Sequence, residues 1–443
     1  MKIERSIACL LSVWFSGCSG LGGSERAVRP DQPPDIILLV QSGLRTGEAE
    51  QAFYQAWGAE PSLRFANAYS QSCAPFTSMG SMLGSRYPTA MTMCATRDVN
   101  SVGDSNDRPW CARVPEEVWT LPEVLELYGY ASAAALPAVS PTTSTDWEAV
   151  RDDATGWWAA HAKQPRFYMI QTLDMHMLQF DPMTGYSEQK ADHERRAAVA
   201  STEELMTEYL ERARTAGQNL RQLVETALPP GDRPREVWLT STNGLSLRET
   251  TGLDSDHLLA VTNTLIVDRT IHVPLARLDT TIEGAESGAH PETAPVELID
   301  LLPTFVTMAG GVVPETAQGR DLLAAESDPA PAAYAEFGDM LAIREGDELL
   351  TFRFFLHNAS SLDPRLTEGL QKQVPGFSSY YAMHHIPSDP LQVNNLVRSR
   401  TERAIVLRNR LLELRTGPGA PPVDSWTTER LQELRLNPSD GYW

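Results

Sequence analysis

This 443-residue chain has no apolar run long enough to cross a bilayer, and no internal repeat is evident. Excess positive charge is also missing: 37 lysines and arginines stand against 58 aspartates and glutamates, a formal net charge of -21. That balance argues against nucleic acid or anionic lipid headgroups as partners, and its plainest consequence is solubility. Cysteine is scarce, with five residues in all. What is present is the ordinary composition of a globular protein, 42% hydrophobic and 21% charged. The length suits one large α/β domain with an appendage, or two medium domains, with a substantial core in either case.

The N-terminus, MKIERSIACLLSVWFSGCSG, has a charged head with Lys2 and Arg5 and then an apolar run from Ile7 to Phe15, too short to span a membrane. It reads as an export signal. Phe15-Ser16-Gly17-Cys18 resembles a bacterial lipobox, which implies removal of residues 1–17 and acylation of Cys18. Residues 18–33, rich in Gly and Ser and then Pro, suit a flexible tether. Ser19 after the acylated cysteine is similar to lipoproteins forwarded to the outer membrane, so the expected location is exported and lipid-anchored there, on the periplasmic face or the cell surface. Three cysteines then remain in an oxidising compartment. Cys94 and Cys111 flank a polar, turn-rich segment that a disulfide would pin, leaving Cys73 either buried and inert or reactive.

Apolar runs alternate with helical patterns over nearly three hundred residues. PPDIILLVQSGLRTG is a buried strand and loop, ASAAAL after the Gly129 turn a second buried strand, and PRFYMIQT and REVWLT two more. GEAEQAFYQAW, a short segment before Arg86, Ser201 to Thr226, and VELIDLLPTFVTMAGG read as helices. The pattern predicts an α/β fold, a largely parallel, mixed central sheet covered by helices on both faces, with ligand sites beyond the carboxyl ends of the strands. Residues 34–327 form that domain. Residues 328–443 follow a Pro-containing linker and form a smaller α+β unit with a hairpin turning at Glu345-Gly346-Asp347 and a helix over TERAIVLRNRLLELRT.

In this order, PDIILLVQSGLR, FANAYSQSCAPFTSMGSMLGSRYP, TLPEVLELYGYASAAA, LDMHM, WLTSTNG, HVPLARLDTTI, VELIDLLPTFVTMAGGVVPETAQGRDLL and DPLQVNNL resemble the successive blocks of the sulfatase family in the alkaline phosphatase superfamily. The resemblance covers most of the chain from Pro34 to Leu396. It implies the alkaline phosphatase type of fold, and a family chemistry in which a formylglycine made from cysteine attacks a sulfate ester against a calcium or magnesium ion held by Asp and Asn oxygens.

At the matching positions this chain departs from the family. Ser42 and Gly43 stand where the opening strand normally ends in Asp-Asp or Asp-Thr, and Thr242 stands for a further Asp, so Asn243 alone matches among four ligand positions. Anchored on Cys73, the nucleophile motif CxPSR becomes Cys-Ala-Pro-Phe-Thr and loses its arginine at Thr77. Anchored on the downstream block, it places Pro75 at the nucleophile position, Ser78 at the family serine and Met79 at the arginine. His176 matches the histidine of the family's Asp-Pro-His block, and its blander role is a hydrogen bond to Asp174 or the backbone. The expectation is a sulfatase-like pseudoenzyme without the family's metal, membrane-anchored, that binds an anionic ligand such as a glycan, or a protein partner. The alternative is an active sulfuric-ester or phosphoric-ester hydrolase with a rebuilt site using Thr77 or Ser78. A third reading is a subunit paired with an active paralogue.

Overall fold

The computed structural model describes residues 32–88, 114, 117–135, 147–172, 174–175, 201–247, 266–281, 294–324, 332–337, 340–353 and 381–416. The expectations for Cys18, for the Cys94–Cys111 pair and for His176 fall outside these residues.

The apolar run after Pro34 forms strand β1, Asp35–Gln41, buried along its whole length. It lies at the middle of a six-stranded sheet, between β5 (Arg166–Thr172) and β6 (Arg235–Thr240), parallel to both. The sheet continues through β4 (Ala131–Ala135) on one side, and through β7 (Leu275–Thr280) and the short β2 (Leu63–Arg64) on the other. The β7 pairings are antiparallel, so the sheet is mixed. A strand buried on both faces needs no polar alternation, which is why β1 reads as a continuous apolar stretch. β4 differs from expectation. As an edge strand it leaves Ser132 and Ala133 half-buried and Ala134 exposed.

Alternate β1 side chains feed two cores. Ile37 and Leu39 join a cluster beneath α1 (Glu48–Trp57), α4 (Trp147–Ala160) and α5 (Thr202–Ala227). Ile36, Leu38 and Val40 meet the opposite layer, built from α2 (Pro75–Gly84), α3 (Leu121–Leu127) and α7 (Leu301–Met308). The other two described helices are α6 (Asp268–Ile271) and α8 (Thr401–Thr416). The long helix α5 starts at a capping box: Ser201 Oγ accepts from the Glu204 N–H at 3.1 Å while Glu204 Oε2 accepts from the Ser201 N–H at 2.7 Å. Leu205, Tyr209, Ala213, Ala216, Leu220 and Val224 then bury one stripe. Gly217 lets α1 approach closely, since a Cβ there would lie 2.7 Å from the Phe53 carbonyl oxygen.

The segment expected to be one helix from Val296 starts instead as β8 (Val296–Glu297), which pairs in parallel with β3 (Ala68–Tyr69), and a 3-10 turn at Leu298–Asp300 leads into α7. Beyond residue 332 a separate antiparallel sheet runs β12-β11-β10-β9, from β9 (Ala333–Phe337), β10 (Met340–Glu345), β11 (Glu348–Arg353) and β12 (Tyr381–His385). α8 sets Ala404, Leu407 and Leu411 into its core. Glu345 and Glu348 next to the hairpin turn bind Arg403, and Arg400 and Arg410 add further ion pairs.

Candidate functional site

The carboxyl ends of β1 and β6 gather the side chains at the family's ligand positions, and β5 adds a residue that the resemblance did not single out. Ser42 directly follows β1, Gln171 lies on β5, and Thr242 and Asn243 follow β6. Parallel pairing with Gln41 beside Thr172 and Val40 beside Thr240 brings these ends level. Ser42 Oγ and Thr242 Oγ1 share a hydrogen bond of 2.8 Å, and Thr242 Oγ1 also donates to Asn243 Oδ1 at 3.0 Å. Gln171 Nε2 donates to Ser42 Oγ at 3.2 Å, and Asn243 Nδ2 to the Gly244 carbonyl at 2.9 Å. Ser42, Thr242 and Asn243 are all fully buried. The result is a closed chain of neutral dipoles, in which each oxygen that matches a family ligand position is already engaged.

Such a donor set does not fit a hard dication. Calcium or magnesium gives up hydration only for several oxygens that include carboxylates, and two hydroxyls with an amide offer no negative charge to offset that loss. Among the described residues no group of three or more His, Cys, Asp or Glu is placed to hold a metal ion.

Gly43, at the second position of the expected pair of aspartates, is a backbone hinge. Its φ of +88° lies in the left-handed region, and an added Cβ would come within 3.1 Å of Met175 Cβ. Its N–H donates to the Asn243 carbonyl at 3.0 Å, and its carbonyl accepts from Tyr209 Oη at 2.5 Å. The same Tyr209 oxygen accepts the Arg45 N–H at 3.0 Å, so α5 holds the loop after β1 in place.

The segment matching the nucleophile motif runs from a loop into α2. Pro75 is the first residue of α2, where its missing N–H costs nothing, and Cys73 precedes the helix. The Cys73 side chain is fully buried in an apolar cluster with Tyr69, Ile271, Ala333 and Met340. Ser78 is fully buried and donates to the Ser72 carbonyl at 2.7 Å, and Ser70 Oγ donates to that same oxygen at 2.9 Å. Thr77 is 5% exposed. Phe76, by contrast, is 59% exposed.

Two charged clusters flanking this segment were not foreseen. Glu297 Oε1 accepts from the Tyr334 N–H at 2.9 Å and from Gln71 Nε2 at 3.3 Å, while Oε2 accepts from Tyr87 Oη at 2.9 Å. Burial, with the neighbouring Asp300 charge adding to it, pushes the Glu297 carboxyl up to about 8; burial likewise raises Asp300 to about 6. On the other flank Asp268 faces His272 Nδ1 at 3.5 Å and Arg344 Nε at 3.1 Å. Burial opposes its ionisation, but these two partners outweigh it and hold the carboxyl below its ordinary value. An acid inside a short apolar segment, as in PVELIDLL, is the signal that could have marked Glu297. Gln171 left none beyond its place at a strand's polar end.

The described chain is similar in shape to solved sulfatase structures. It matches a 2-O GAG sulfatase with a TM-score of 0.59 at 14% identity, over 91% of this chain and 94% of the other. A protein solved with its substrate D-glucosamine-2-N,6-O-disulfate matches with a TM-score of 0.55 at 14% identity, over 92% and 100%. A protein of a Bacteroides thetaiotaomicron locus for the metabolism of multiple glycosaminoglycans matches with a TM-score of 0.60 at 12% identity, over 91% and 100%. No protein-family model matches the chain, and no curated protein sequence matches it. At these identities the likeness is one of fold, and the chain has the α/β fold of the sulfatases.

Proposed function

We propose that this sulfatase-fold chain is a lipoprotein, anchored through Cys18, that has given up ester hydrolysis and acts by binding. The observation that carries the reading is the neutral chain Ser42–Thr242–Asn243, closed by hydrogen bonds of 2.8 and 3.0 Å at the ends of β1 and β6. A sulfatase mechanism needs a cation there to bind the ester and activate the nucleophile, and hydroxyls bonded to one another do neither. The nucleophile position adds to the case. Cys73 lies in an apolar cluster, and Ser78 spends its hydroxyl proton on a backbone carbonyl. The ligand class carried over from the structural neighbours is a sulfated or otherwise anionic glycan, with a protein partner as the other candidate.

The test is the melting temperature of the soluble protein starting near Ser24, in chelator and then in millimolar calcium, magnesium, manganese or zinc. Binding to the native state alone raises it by mass action. The expected result is no shift with any cation. A saturable rise with one cation, abolished by Asn243→Ala, overturns the proposal and points to a rebuilt hydrolase.

A further inference from the structure

The end of the sheet opposite the candidate site bears an apolar wedge. Leu127, the last residue of α3, is 65% exposed, and Val312, in the loop after α7, is 74% exposed. Tyr128 joins them: the Val312 N–H donates to its hydroxyl at 2.7 Å, and its ring lies so close to Gly311 that a Cβ there would fall 2.6 Å from it. The Tyr128 side chain and the Gly311–Val312 backbone are therefore held together, with Leu127 the residue next to Tyr128. The turn at Gly129 leads at once into the amino end of β4, so the wedge stands at the amino-terminal edge of the parallel strands.

The chain enters the fold at this same edge. The Pro34 carbonyl, just before β1, accepts from Tyr130 Oη at 2.8 Å, three residues from Leu127. Only 15 residues separate Pro34 from Cys18, which even fully extended reach no further than about 55 Å. An acyl group on Cys18 thus ties the chain to the membrane at this edge, within that reach, whereas the site at the carboxyl ends of the strands is on the far side of the sheet.

We propose that Leu127, Tyr128 and Val312 rest on the phospholipid bilayer, with their apolar parts in the headgroup region, so that the Ser42–Thr242 end of the molecule points away from the membrane. Lys163 and Arg233, joined by a 3.2 Å hydrogen bond from the Arg233 guanidinium to the Lys163 carbonyl, lie at the same end of the strands with the exposed Asp232, and the exposed Glu123, Glu126 and Glu315 lie within four residues of the wedge. With both signs present, docking rests on apolar contact and not on anionic lipid. This proposal depends on the lipid anchor proposed above.

The test is hydrogen exchange of the full lipidated protein on vesicles of phosphatidylcholine and phosphatidylethanolamine, compared with the Cys18→Ala protein in solution. Flotation is recorded in parallel. Docking predicts exchange at least about threefold slower over 125–130 and 310–314, and unchanged over 72–78. In Val312→Glu, a change at an exposed position, the slowing disappears while the protein still floats. Flotation without slower exchange at the wedge overturns docking and leaves the anchor standing, and slowing over 72–78 instead overturns the orientation. Failure to float overturns the anchor, and this inference falls with it.

Discussion

β1 begins with a charge and ends without one. At its amino end Asp35 is fully buried, yet it is matched: Oδ1 accepts the Arg166 N–H at 3.0 Å, and Oδ2 takes the Arg166 guanidinium. That guanidinium also donates to the Trp158 carbonyl at 2.9 Å and lies 3.7 Å from the centre of the Trp158 ring. At the carboxyl end Ser42, Thr242 and Asn243 are just as buried and carry no charge. A buried carboxylate persists where its counter-charge is built into the chain. At the carboxyl end, where no counter-charge is built in, the groups present are neutral and satisfy one another.

The sharpest way to break the contrast is Asp35→Ala. It strands the Arg166 guanidinium in a dry environment and should cost about 3–5 kcal/mol in urea unfolding. A loss under 1 kcal/mol would mean that the pair is not dry. Glu297 sharpens the comparison from the other side, as a buried acid that meets hydrogen-bond donors but no direct ion pair among the described contacts. Held at about 8 against an ordinary 4.5, it keeps its proton in the fold at pH values where the unfolded chain has lost it. Stability from this group is therefore complete below pH 4.5 and falls by about 1.4 kcal/mol per pH unit as pH climbs towards 8. Glu297→Gln should flatten that slope between pH 6 and 8, and an unchanged slope would show that the carboxyl is already ionised in the native state. The smallest effect belongs to Thr242→Val, which removes one hydroxyl from the neutral chain. It should cost about 1–2 kcal/mol, because Ser42 Oγ and Asn243 Oδ1 each lose a partner. A neutral or stabilising result would show that those atoms were hydrated all along.

Much of the layered fold was legible in the sequence because its signals are local. Apolar runs gave β1, β5 and β6, and the apolar Leu205, Tyr209 and Leu220 ahead of Pro229-Pro230 gave α5. What depended on register was not legible. Asp35 and Arg166 each open an apolar strand, but only the parallel offset that sets Ile36 beside Phe167 makes them partners. The same offset brings Gln171 to Ser42. β4 was read as fully buried because alanine is small and apolar wherever it sits, and nothing in ASAAA records that the sheet ends there. At the candidate site the departures at Ser42, Gly43 and Thr242 were visible, but not that the hydroxyls would close on each other.

Gly43 makes a site with the family's carboxylates hard to build here. Placing aspartate at Ser42 and Thr242 would add two acids by simple exchange, whereas at Gly43 a side chain meets both a φ of +88° and the Met175 side chain. A lineage or a laboratory selection working one substitution at a time would pass through a strained loop before any ion could repay it. The glycine acts as a latch: a family-type cation site can be installed here only if the loop, Met175 and the acids change together.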